Sequence, residues 1–149
     1  MSALPDVDIA TNGPVRVGIT GEDGWWPHQP RDVVRVQAPD LRRVAAATAA
    51  VREAQPRVSV LVDIYVAIAG DAHIARTVLA ATGGAGAAQS LLYVGTPTGL
   101  AGLITDIHAL GLADGAVLIP LLPGVGELIA GEVMPALRSL GAVWERRPA

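Results

Sequence analysis

Apolar residues along the chain fall into short β-branched runs separated by Ala-rich stretches with helical spacing. Val7–Thr11 (VDIAT) predicts a short strand ending in the turn Asn12-Gly13-Pro14. Val15–Thr20 predicts either a second short strand or an extended connection. Gly21–Pro30 (GEDGWWPHQP) has no apolar period and reads as loop, and Val33–Val36 (VVRV) as a buried strand. Asp40 suits the N-cap of a helix over Leu41–Ala54, where Leu41, Val44, Ala45, Thr48 and Val51 form one apolar stripe. Pro56 closes the connection to Val58–Ala69 (VSVLVDIYVAIA), the strongest strand signal in the chain.

The second half repeats the rhythm. Gly70-Asp71 starts a helix through Ala81 with Asp71 as its cap, and Thr82–Ala88 (TGGAGAA) is a small-residue loop. Thr96 caps and Pro97 opens a further helix that runs to Leu110 and stops at Gly111. Ala116–Ile119 (AVLI) predicts a buried strand, and Pro123–Gly126 leads into a last helix over Glu127–Leu140, ended by Gly141. Pro135 inside that helix predicts a kink or a split, because it has no N–H to donate. Alternating strands and helices with near-continuous apolar strands predict an α/β protein: a parallel sheet covered by helices on at least one face. An open doubly wound sheet and part of a (β/α) barrel both satisfy the pattern. A complete eight-stranded barrel takes about 250 residues, and this chain has 149.

Composition narrows the function classes. A formal charge of −3 gives no basic footprint for a phosphate backbone, so no nucleic-acid partner is expected. The absence of Cys excludes a disulfide framework, a thiolate metal site and a Cys nucleophile. The N-terminal MSALPDVDIATNG lacks the basic and apolar regions of a signal peptide, and no apolar run reaches the ~20 residues of a membrane span. These features predict a soluble, cytoplasmic domain with no membrane partner.

A more specific pattern runs from Tyr93 to Gly141. It has a VGTP helix start (Gly95, Thr96, Pro97) and a G-x-A-D-G strand entry (Gly111, Ala113, Asp114, Gly115). A proline-rich loop and V-x-P-x-L-R-x-x-G (Val133, Pro135, Leu137, Arg138, Gly141) complete it. This stretch resembles the C-terminal end of the luciferase-like monooxygenases, in the branch with nitrilotriacetate and alkane monooxygenases. Upstream, VSVLVDIYVAIAGDAHIAR is similar to that family's penultimate strand and following helix, VVRV falls where its sixth strand runs, and VDIATNGP where its fifth ends. The resemblance implies a TIM-barrel-like half-barrel of about four strand-helix units, the whole chain forming one domain similar to the C-terminal half of a family member. It also implies a flavin, FMN or a deazaflavin coenzyme, that carries the redox step in oxidising a small organic substrate.

Under that resemblance Thr11, Asn12 and Gly13 fall beside the flavin phosphate, with Gly83 and Gly84 of the small-residue loop as further cofactor contacts. An ordinary strand-to-loop turn explains Asn12-Gly13-Pro14 equally well. Gly18, Gly21 and Gly24 form G-x-x-G-x-x-G, but the spacing is wrong for a dinucleotide site and WWPHQP prevents the helix such a site needs. Trp25 and Trp26 suit a cover for a planar ring, a partner surface, or a plug for one end of the sheet. His28 beside them is a candidate general acid or base with only Asp23 near it in sequence. Asp63 interrupts an apolar strand, so it needs a partner: a structural link to an Arg, or a catalytic role. Asp114-Gly115 and Arg138 read as a turn and a helix-end charge. His73 and His108 lie in predicted helices with their nearest carboxylates two residues away, off their faces, so no metal site is expected. A second reading, from the missing first half, is a non-catalytic interaction subunit whose four parallel strands leave two edges for a homodimer or a barrel-completing partner chain.

Overall fold

The computed structural model describes residues 15–20, 31–81, 90–122, 124–139 and 143–145. In chain order these give β1 (Arg16–Ile19), β2 (Val33–Val36), α1 (Leu41–Ala54), β3 (Ser59–Ile68), α2 (Ala72–Ala81) and β4 (Leu91–Gly95). They continue with α3 (Pro97–Ala109), β5 (Gly115–Pro120), α4 (Val125–Leu128), a π-helical segment (Ile129–Val133), α5 (Met134–Arg138) and β6 (Val143–Glu145). Every strand pairing among the described residues is parallel. From β2 onward the chain runs through four strand-helix units, the α/β architecture the sequence predicts.

The sheet is built on β3. Its Leu61 and Val62 pair with both β2 and β5, and its Ile64, Tyr65 and Val66 with both β4 and β5. β5 therefore takes one edge of β3, while β2 and β4 lie end to end along the other. The full order is β2-β3-β5-β1-β6, with β4 off the path. The sheet has six strands rather than the four expected. Three strands are added: β1, which settles one of the two readings of Val15–Thr20, β6 near the C-terminus, and β4, hidden because LLYVG has no polar alternation and lies between a Gly/Ala run and a strong helix start; the predicted strand Val7–Thr11 lies outside the described residues.

Helices cover one face. Val60, Val62, Ile64 and Val66 of β3, with Ala116 and Leu118 of β5, pack against Val44 of α1, Leu100, Ile104 and Ile107 of α3, and Ile129, Val133, Met134 and Leu137 near the C-terminus. Alternation along the strands sends Leu61, Asp63 and Tyr65 to the opposite face, where Val33, Leu61 and Val117 form a small apolar cluster of their own.

The helix ends follow their sequence signals. The Asp40 carboxylate accepts from the Arg43 N–H, Asp71 from the N–H groups of His73 and Ile74, and Thr96 Oγ1 from the Gly99 N–H. Gly111 ends α3 at φ 72°, a left-handed conformation that Gly adopts without the Cβ penalty. The last helix is broken, as Pro135 predicts, but the break lies one step upstream as a π-helical segment: the Met134 N–H donates to the Ile129 carbonyl, five residues back. Pro135 cannot donate to Gly131, and widening the preceding turn carries the chain past its ring.

Candidate functional site

Most of the sequence-predicted site falls outside the described residues. Thr11, Asn12 and Gly13, Gly83 and Gly84, and Trp25, Trp26 and His28 all lie there. Asp63 is described, and the structure supplies its partner.

Asp63 stands at the middle of β3 with its side chain 2% exposed. Its Oδ1 accepts from Arg35 Nε at 2.8 Å, and its Oδ2 from Arg35 Nη2 at 3.0 Å and from Gln37 Nε2 at 2.7 Å. This is a fork-to-fork guanidinium–carboxylate pair with an amide added, so three donors surround one buried carboxylate. The strand register brings it about. Arg35 pairs with Leu61, which puts Gln37, two residues on, alongside Asp63 on the same face. Arg35 is 26% exposed and Gln37 is exposed, so the ion pair is rooted in the sheet and open at the β2 side. Tyr65, half-buried, stands one pleat further toward the C-terminal strand ends, level with Ile119 of β5 and Leu92 of β4.

A second polar group lies one row toward the strand starts. Arg16 Nη1 donates to Asp32 at 2.8 Å and to Ser59 Oγ at 3.1 Å, tying β1 to the entrances of β2 and β3. The face of the sheet opposite the described helices thus carries Arg16, Asp32, Ser59, Arg35, Asp63, Gln37 and Tyr65. Sequence reasoning found Asp63 through its interruption of an apolar run. It missed Arg35 and Gln37, though their i, i+2 spacing across the end of β2 was the available signal.

The motif residues from Tyr93 onward turn out to be structural. Asp114 Oδ1 accepts from Arg52 Nη2 and its Oδ2 from the Val60 N–H, while Arg52 Nη1 reaches the Gly111 carbonyl. The motif aspartate therefore locks the end of α1 to the starts of β3 and β5. Gly115 follows because a Cβ there would collide with the Arg16 carbonyl of β1. Gly95 and Gly99 leave room for the Tyr93 phenol, which donates to the Thr96 carbonyl at 3.2 Å. Arg138 sits in the last turn of α5, a favourable place for a cation. His73 is exposed on α2 and His108 half-buried on α3, and no group of three or more metal-ligating side chains exists among the described residues. Among those residues no helix is long and apolar enough to cross a membrane.

No protein-family model matches the sequence, and no match was found among curated proteins. Solved structures do match. EDTA monooxygenase from Chelativorans sp. BNC1 superposes with a TM-score of 0.56 at 17% identity, over 74% of this chain and 40% of that one. A riboflavin lyase, determined with modified FMN and its substrate riboflavin, superposes with a TM-score of 0.59 at 16% identity, over 90% of this chain and 44% of that one. The chain shares with both the architecture of a parallel α/β half-barrel. At these identities the likeness is one of fold, and the chain spans about two fifths of the length of either neighbour.

Proposed function

We propose that this half-barrel is a flavin-binding protein of the monooxygenase type, taking FMN or a deazaflavin coenzyme. The observation that carries the reading is the polar cluster on the sheet face opposite the described helices, in a fold shared with a riboflavin lyase whose structure holds modified FMN and riboflavin. The donor set suits a flavin ring. Arg35 and Asp63 cancel in charge, and Gln37 and Tyr65 add neutral hydrogen-bonding groups beside apolar Val117 and Leu61. We assign the phosphate to the Thr11-Asn12-Gly13 turn, with Gly83 and Gly84 as a second candidate contact. When bound, the flavin supplies the redox chemistry, and the protein binds it, orients it and excludes water.

The test is a titration of FMN and of a deazaflavin with the purified protein, following flavin fluorescence. Saturable quenching at low micromolar concentration is expected, with Gly13→Val weakening FMN. Unchanged FMN affinity in Gly13→Val removes that turn from the site.

A second reading has its own support. The chain spans two fifths of its neighbours, and among the described residues its strand order ends at β2 and β6 rather than closing. A non-catalytic half-barrel that dimerises, or completes a barrel with a partner chain, fits those facts. A stable dimer in solution that binds neither flavin decides for it.

A further inference from the structure

The Asp63 cluster has a chemical selectivity of its own. Its carboxylate is saturated by Arg35 Nε, Arg35 Nη2 and Gln37 Nε2, and these bonds hold both donor side chains in place. What remains for a ligand is an acceptor, Gln37 Oε1, and a donor, Arg35 Nη1, on two head groups that meet at Asp63 Oδ2. Neither atom has another hydrogen-bond partner among the described residues. Both belong to side chains with solvent access. Because Asp63 balances the Arg35 charge, the pair has little attraction for an anion, and the Gln37 carbonyl oxygen opposes one.

We infer that Arg35 and Gln37, anchored by Asp63, take the imide or amide edge of a neutral planar heterocycle rather than a phosphate. An adjacent N–H and C=O on the ligand complement the oxygen of Gln37 and the N–H of Arg35, and Tyr65 stands beside them on the same face. Donors and acceptors held in place discriminate against ligands that leave them unpaired. This inference rests on the flavin reading for its probe, but it assigns a different part of the ligand to different residues: the ring edge to Arg35 and Gln37.

Lumiflavin, which has the flavin ring without the ribityl phosphate, separates the two. Wild type is expected to quench lumiflavin saturably, with no competition from inorganic phosphate. Gln37→Leu, at an exposed position whose loss leaves the Arg35–Asp63 pair intact, is expected to weaken lumiflavin and FMN by the same factor, about fivefold to tenfold for one lost hydrogen bond. Circular dichroism of the variant verifies its fold. Equal lumiflavin affinity in wild type and Gln37→Leu overturns the inference, as does competition by phosphate. Binding of FMN but not lumiflavin overturns it while leaving the flavin reading standing, and binding of neither overturns both.

Discussion

Replacing Asp63 by Asn probes the centre of the sheet with almost no change of shape. Asp63 is 2% exposed and accepts three hydrogen bonds, two of them from the Arg35 guanidinium. Asn keeps one acceptor oxygen, but its amide group points donors at donors and leaves the Arg35 charge uncompensated. Removing one partner of a fully buried pair costs roughly 3–5 kcal/mol. Arg35 is 26% exposed, so water relieves part of that penalty, and a loss of about 2–3 kcal/mol is expected here. In a domain of this size that lowers Tm by roughly 4–12 °C. Urea unfolding read by circular dichroism measures it directly, with an unchanged m-value showing that only stability has altered. The double variant Arg35→Met/Asp63→Leu sharpens the argument. Removing both charges together is expected to restore stability to within about 1 kcal/mol of wild type, because apolar side chains of similar volume replace a buried pair at little cost. A loss below about 0.5 kcal/mol in Asp63→Asn would falsify the buried-pair account, the usual range for substitutions away from such features. A double variant as unstable as the two singles summed refutes the coupling.

Four further substitutions test three separate parts of the fold. Thr48 faces the core from α1 with its hydroxyl buried and unpartnered among the described residues, so Thr48→Val is expected to raise stability by about 1 kcal/mol in the same urea assay. Gly115→Ala drives a methyl group into the Arg16 carbonyl and separates β1 from β5; a loss of roughly 3 kcal/mol is expected, and a Tm equal to wild type shows that the strands do not approach so closely. Asp114→Asn disturbs a carboxylate shared by Arg52 and the Val60 N–H and is expected to cost about 2 kcal/mol, whereas Arg52→Met, at a side chain 39% exposed, is expected to cost about half as much. The reverse ranking shows that the Arg52 contact, and not the strand latch, is what matters.

The parts of this fold that were legible in the sequence are those governed by local chemistry. Asp40, Asp71 and Thr96 cap helices because a short polar side chain reaches N–H groups only two or three residues away, and Gly111 ends a helix through its own φ. Asp63 was legible as a problem, a carboxylate in an apolar strand, though its solution was not. Arg35 lies 28 residues away, and only the parallel register of β2 on β3 brings it into reach. The same reasoning explains why Gly115 was read as a turn residue. The backbone it makes room for belongs to β1, about a hundred residues earlier. β4 was missed for a local reason, since five residues without alternation carry too little signal to separate from the helix start that follows.

Strand order changes what the half-length of the chain means. A sheet that simply stopped after consecutive strands would run β1-β2-β3, whereas here β1 lies against β5 and β2 against β3. β1 takes the free edge of β5, the last of the large strands, and β6 follows beyond it. The order therefore has its discontinuity between β1 and β2, which follow one another in the chain but stand three positions apart in the sheet. Arg16 bridges that discontinuity chemically. From β1 it reaches Asp32, at the entrance to β2, and Ser59, at the entrance to β3, so the two ends of the break are joined by side chains on the face opposite the described helices. The Asp63 cluster lies one row above that bridge on the same face. Gly115→Ala, which forces Arg16 and β1 off β5, is then expected to weaken lumiflavin binding as well as stability, although Gly115 is not among the residues assigned to the ring edge.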